Sequence, residues 1–311
     1  MTDKPSRRTL ALLLAAALAA GGVLWFVARK PTATAPSPPP RAGSDLAGFF
    51  ATFAAGLRES DPYRPPTDAE RATAVTGLRT LFDGADRIDA ARAALEPLGF
   101  AVSTGTDTAT GRRYAMAVSE RGSDRAWGAY VIDLSAPARL VIQVPHPNFD
   151  LGTEEIGVAL FRRAPGSVLL VAGAHRKAAD GAGDVAHRDD SLFHAASADL
   201  AERDLPQVQL HGFHDRSLPG KDVVVSAGAG DPGPEVKRAA SALADRGLDV
   251  CRAWRDDCGK LSGTRNVQGR AAADRGTVFL HVEISRRVRD DEKRWSRLVR
   301  ALAAAFPRDA G

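Results

Sequence analysis

Cysteine is scarce: Cys251 and Cys258 are the only two in 311 residues. Two thiols exclude a disulfide-dense scaffold and any zinc site built from four thiolates. Charge of one sign is also nearly absent. The chain carries 42 basic and 38 acidic groups. Lys4, Arg7, Arg8, Arg29 and Lys30, set against Asp3, account for the whole excess, so the rest of the chain is neutral. A nucleic-acid binder needs a basic face to recruit phosphates, so no nucleic-acid partner is expected. No internal repeat is visible. Hydrophobic residues make up 44%, an ordinary globular share. That excludes a wholly disordered, collagen-like or multi-span membrane chain.

One long uncharged run is present, near the N-terminus. Residues 9–28 include LALLLAAALAAGGVLWFVA, long enough to span a bilayer as a helix. Ser6-Arg7-Arg8-Thr9-Leu10 is similar to a twin-arginine export signal. Ala33-Thr34-Ala35 offers a small-x-small cleavage site. Residues 1–30 therefore read as a cleaved signal or as an uncleaved membrane anchor, and both readings stay open. Either one places the body outside the cytoplasm. Residues 31–43 (PTATAPSPPPRAG) form a proline-rich linker, too extended to pack a core.

Residues 44–137 read as a helical leader and a hairpin, and residues 138–311 as an α/β domain. Together, 44–311 are expected to form one compact unit. Helical spacing covers residues 45–59, 68–82 and 89–98, each opening with an aspartate. Residues 100–118 look like a hairpin turning near Thr110-Gly111. Short runs rich in β-branched residues come next, at 129–134, 140–144, 167–172, 207–210, 222–226 and 277–284. Helical stretches at 154–163, 191–203 and 234–246 separate several of them. This alternation predicts an α/β fold with a mostly parallel or mixed central sheet flanked by helices.

The strand ends carry the residues of chemical interest. Run 140–144 leads to His146, run 167–172 to His175, and run 207–210 to His211 and His214. Four of the seven histidines thus fall where open α/β sheets bind ligands. Histidine serves metal binding and proton transfer alike. Asp150 lies just after His146, with Glu154 and Glu155 beyond. A histidine and a nearby carboxylate can clamp one zinc if a distant histidine completes the set. Asp150 has a rival role as a helix cap. In TVFLHVEISRR, Phe279, His281, Glu283 and Ser285 share one strand face. A glutamate there needs a partner or a task. Either it is a general base for hydrolytic water, or it is paired with Arg286, Arg287 or Arg289. Arg176 can bind a substrate carboxylate through its guanidinium fork. Asp184 and His187 belong either to a pocket wall or to a solvated loop. Outside the cytoplasm Cys251 and Cys258 should pair as a loop staple.

These motifs resemble the zinc-dependent amidohydrolase group of poly-γ-glutamate hydrolases and N-formylglutamate amidohydrolases, distant relatives of the zinc carboxypeptidases. The resemblance covers about residues 138–290. It rests on HPNFDLGT (His146 to Thr153), QLHGF (His211-Gly212), GTRNVQGR (Asn266) and HVEISRRVR (Glu283, Arg289). It implies a zinc ion held by His146, Asp150 and His211, with Glu283 as the catalytic base. It also implies substrate contacts from Asn266 and Arg289. The first motif departs from the family pattern: it is one residue shorter, Asp150 replaces a glutamate, and Pro147 and Asn148 replace two glycines. Glu154 is the alternative carboxylate.

The expected function is hydrolysis of an amide bond, peptide or γ-glutamyl in type, in a small peptide-like or cell-wall-derived substrate. Two other readings are a non-catalytic cell-surface binding protein on a degenerate hydrolase fold, and a phosphoesterase whose second metal uses Asp184 and His187.

Overall fold

The structure is a computed structural model that describes residues 45–307. The expected signal or anchor (1–30) and the linker (31–43) lie outside the described residues. Among the described residues, no helix is long and apolar enough to cross a membrane.

Three helices lead: α1 (Leu46–Ala55), α2 (Asp68–Phe82) and α3 (Ile88–Leu95). Only the first uses its aspartate as a cap. Asp45 accepts from the Ala47 and Gly48 amides at 3.0 and 3.1 Å. At α2 the cap lies one residue earlier than the sequence predicts, because Glu70 completes a reciprocal capping box with Thr67. Asp89 falls in the first turn of α3, where a negative charge suits the helix dipole.

The strands are β1 (Phe100–Thr106), β2 (Arg113–Ser119), β3 (Ala129–Asp133), β4 (Leu140–Val144), β5 (Ser167–Val171), β6 (Gln207–Phe213), β7 (Val223–Ser226), β8 (Val250–Arg252) and β9 (Phe279–Ser285). They form one nine-stranded sheet in the order β1-β2-β3-β5-β4-β6-β9-β7-β8. Of the two expected arrangements, the sheet is the mixed one. β5, β4, β6 and β9 form a parallel core, while β1, β2 and β3 continue it antiparallel on one side. The β6–β7 link holds only a short turn at Asp215–Ser217. That is too short for a crossover, and β7 lies antiparallel to β9.

Helices cover both faces. α4 (Thr153–Arg163), α6 (Pro234–Ala244), α8 (Glu292–Ala305) and α1 pack on one face, against Leu140, Ile142, Val208, Leu210, Leu280 and Val282. α2, α3 and α5 (Leu192–Glu202) pack on the other, against Tyr130, Val141, Val168 and Leu170. α7 (Val267–Asp274) lies against α5 and β9. On this second face the central strands turn polar. Gln143, Gln207, Gln209, His211 and His281 are all buried there.

Glu70 ties the leader down. Arg64 donates to both its carboxylate oxygens at 2.7 and 2.8 Å. Those bonds, opposed by burial, lower the Glu70 carboxyl from 4.5 to about 2. A depressed carboxylate stabilises the fold above its unfolded pKa and loses that contribution as pH falls through its folded one. Stability should therefore decline as pH drops from 4.5 towards 2. Glu70→Gln should flatten that part of an acid-unfolding profile; an identical slope in the variant would show that Glu70 contributes nothing.

Cys251 and Cys258 form a disulfide, buried beside Phe213 and Val224. The bridge spans a sequence separation of 7. By the chain-entropy argument, losing so small a loop should cost roughly 2–3 kcal/mol. Denaturant unfolding of Cys251→Ser/Cys258→Ser should show that loss, and unreduced native protein should present no alkylatable thiol.

Candidate metal centre

β4, β6 and β9 are neighbours and parallel, so their C-terminal ends share one sheet edge. His146 follows β4 across Pro145. His211 on β6 lies in register with Glu283 on β9, and Gln209 with His281. Of the four strand-end histidines, two meet: the His146 and His211 ring centroids are 4.9 Å apart. The other two are used locally. His175 accepts from the Lys177 amide and packs on Phe149. His214 accepts from the Arg216 amide and caps a turn.

Asp150 joins the two rings. Its Oδ2 lies 3.2 Å from His146 Nδ1 and 3.2 Å from His211 Nδ1. The N-cap of α4 is Gly152, with no side-chain bond, so Asp150 is not a helix cap. Glu154 is buried but outside this cluster, which makes Asp150 the carboxylate of the group. The far side of each ring is also engaged. His146 Nε2 is 2.8 Å from Asp184 Oδ1. His211 Nε2 is 2.9 Å from Gln209 Oε1.

This geometry fits zinc. Tetrahedral bonds of about 2.0–2.2 Å place ligand atoms roughly 3.3–3.6 Å apart, close to the two separations around Asp150. With both Nε2 atoms facing outer acceptors, both Nδ1 lone pairs are available to an ion. A second cluster, His211, His281 and Glu283, also has ligand atoms within 4.8 Å of one another, but it shares His211 with the first. Asp184 and His187 belong to neither cluster among the described residues. Asp184 instead accepts from Arg176 at 2.6 Å and lies 3.1 Å from His187 Nδ1. Its place is behind His146 rather than on a second metal.

The charges are strongly coupled. Burial pushes the Asp150 carboxyl up, but its bonds to His146 and His211 outweigh this and hold it well below the usual range. Asp184 behaves likewise, through His146 and His187. Burial disfavours charge on His146, yet its two carboxylate partners raise its pKa. His211 has one such partner, and there burial prevails and lowers it. Burial pushes the Glu283 carboxyl up to about 8. Among the described residues Glu283 Oε2 and His281 Nδ1 have no hydrogen-bond partner, while His281 Nε2 lies 3.9 Å from Glu283 Oε1.

A cavity of about 500 Å³ opens on these groups, lined by His146, Arg176, His211, Asn266, His281 and Glu283. Arg176 lies over the Phe149 ring, 4.8 Å from its centroid. Asn266 donates to Gln209 Oε1 at 2.6 Å. Arg289 is a correction to the expected substrate contact. Its guanidinium donates to the carbonyls of Ile284, Leu151 and Phe213 and does not line the cavity. It fills the space above Gly212, where a Cβ would overlap it. Two of these carbonyls lie at the ends of β6 and β9 and the third lies in the turn before α4; Arg289 supplies the donors they need.

Three participants escape the sequence reading, while His281 is placed there on the Glu283 face without a role. Gln209 lies two residues before His211 on the same strand face, so the two-residue period could have found it. Lys260 and Arg265 reach the cavity on the loop after the disulfide, where no local pattern marks them. Gly263 in that loop has φ +61°, and a Cβ there would come within 2.5 Å of the His281 ring.

No family model matches the chain, and no curated protein matches it. Solved structures match at a distance. A metallo-carboxypeptidase from Burkholderia cenocepacia is 13% identical, covering 78% of this chain and 69% of its own, with a TM-score of 0.37. An aspartoacylase family protein from Mesorhizobium loti is 11% identical over 65% of this chain and 67% of its own, at 0.38. The zinc-free apo form of YNDL is 13% identical over 59% of this chain and 91% of its own, at 0.38. Likeness this distant carries no function across, so the functional case rests on the site.

Proposed function

We propose that this chain is an exported or membrane-anchored zinc hydrolase. It cuts an amide bond, peptide or γ-glutamyl in type, in a small peptide-like or cell-wall-derived substrate. One observation carries the reading: two histidine Nδ1 atoms converge on one oxygen of Asp150, and both rings line a cavity that also holds Glu283, whose buried Oε2 has no hydrogen-bond partner among the described residues.

His146, Asp150 and His211 would hold the ion. Bound zinc supplies a Lewis acid that polarises a carbonyl and acidifies water. The Glu283 carboxylate would take the proton of the attacking water and return it to the leaving amine. One carboxyl can serve both halves of that task, as base and then as acid. Arg176, Lys260 and Arg265 line the same cavity and favour a substrate carrying a carboxylate. Asp184 fixes the His146 ring from behind and is itself held by Arg176.

Metal analysis of the purified full chain should find one zinc per chain. His146→Ala and His211→Ala should each remove it. Glu283→Gln should keep it while lowering turnover of a γ-glutamyl or peptidoglycan-type peptide by about 10²–10⁴, the usual worth of a general base. Protein that binds no stoichiometric zinc ends this reading, and unchanged turnover in Glu283→Gln removes the base.

The location is tested separately. A reporter fused after Gly311 should be active only outside the cytoplasm. Cytoplasmic activity would overturn export.

A further inference from the structure

We infer that a buried chain of side-chain amides, anchored on two backbone carbonyls, sets the tautomer of His211, and that Gln209 is the positioning residue through which it acts. The consequence for metal affinity rests on the zinc hydrolase proposal; the tautomer itself does not.

A side-chain amide has a donor end and an acceptor end of nearly equal shape, so its neighbours decide which way it points. A backbone carbonyl can only accept. Gln207 Nε2 donates to the Ser197 carbonyl at 2.9 Å. Its Oε1 is thereby turned inward, where it accepts from Ser197 Oγ at 2.7 Å and from Gln143 Nε2. That fixes Gln143 in turn, and its Oε1 accepts from Gln209 Nε2 at 2.8 Å. The second anchor lies on another element. Gln268 Nε2 donates to the Val185 carbonyl at 2.8 Å, leaving its Oε1 to accept from Gln209 Nε2 at 3.1 Å.

Both anchors thus demand the same orientation of Gln209. Its Nε2 supplies both donors, and its Oε1 faces His211 Nε2 at 2.9 Å. Two bare acceptors at that separation repel, so His211 Nε2 carries the hydrogen. Asn266 Nδ2 approaches the same Oε1 at 2.6 Å and His211 Nε2 at 3.1 Å. The shorter contact is the hydrogen bond, and a protonated Nε2 has no lone pair to accept at the longer one. Gln143, Ser197, Gln207, Gln209 and Gln268 are all fully buried, so water cannot substitute for any link. The lone pair of a neutral His211 is left on Nδ1, towards Asp150 and the position proposed for the ion.

Nitrogen-15 NMR of the full chain with labelled histidine reads the result directly. His211 Nε2 should carry its hydrogen with and without zinc. A bare Nε2 in the zinc-free protein would overturn the inference. Two variants separate positioning from packing. Gln209→Met keeps the volume and loses the acceptor, and should weaken zinc binding about 10–100-fold in chelator competition. Gln209→Glu keeps an acceptor towards His211 and should bind closer to the native protein than the methionine variant. Native affinity in Gln209→Met would make the chain mere filling. If the unaltered protein takes up no zinc, the hydrolase reading fails while the Nε2 result stands. If zinc binds but Nε2 is bare, only the tautomer inference fails.

Discussion

Side-chain alternation along β6 is the constraint on which the rest of the site depends. Val208 and Leu210 face the apolar side of the sheet, beneath α4 and α8. Gln207, Gln209 and His211 must then face the other side, where they are buried as completely. Parallel pairing repeats the pattern on both neighbours: Gln143 on β4 aligns with Gln209, and His281 and Glu283 on β9 align with Gln209 and His211. A polar row of this kind in a sheet interior is tolerable only if its members satisfy one another. The amide chain does so for Gln143, Gln207 and Gln209 and leaves its last acceptor facing the His211 imidazole, with His281 and Glu283 outside it.

Charge is arranged with similar economy. Asp150 is shared by two histidines, and His146 is shared by two carboxylates. Arg176 neutralises the outer carboxylate, Asp184, while the inner one faces the ring of His211. If His211 keeps its hydrogen on Nε2, a neutral ring turns a lone pair towards a carboxylate oxygen at 3.2 Å. Two such acceptors repel unless a metal ion, or a second ring hydrogen in its absence, lies between them. The zinc proposal and the tautomer inference therefore meet at one place, although they start from opposite ends of the same ring.

The legible parts of the fold are those with a local pattern. The leader helices, the hairpin and six strands show their periods in the sequence, and the strand-end histidines can be placed from them. β8 escapes because it is only three residues long, too few to show a period. α7 hides because Gln268 and Gly269 occupy its buried side where apolar residues would signal a helix. At the site, His146, Asp150 and His211 are legible through strand ends and through a family resemblance. Arg289 misleads because the residues alone do not show that three backbone carbonyls surround it. Lys260 and Arg265 arrive on a loop whose course depends on the disulfide and on Gly263, so only the folded chain brings them to the cavity.

The choice between a hydrolase and a degenerate binding protein turns on Glu283. A shortened first motif with aspartate in place of glutamate suits a decaying metal site, yet Asp150 reaches both rings. Leaving a buried polar group without a partner costs about 1–3 kcal/mol, more if it is charged. Here Glu283 Oε2 and, two residues away, His281 Nδ1 are both in that state. A binding protein gains nothing from leaving Glu283 Oε2 buried without a hydrogen-bond partner. A hydrolase needs that carboxylate kept free of competing donors, since any ion pair would lower its basicity. Arg289, the buried guanidinium nearest in sequence, is instead committed to three backbone carbonyls. Apart from the His281 ring, 3.9 Å from Glu283 Oε1, no ion-pair partner meets Glu283 among the described residues, and this favours the catalytic reading.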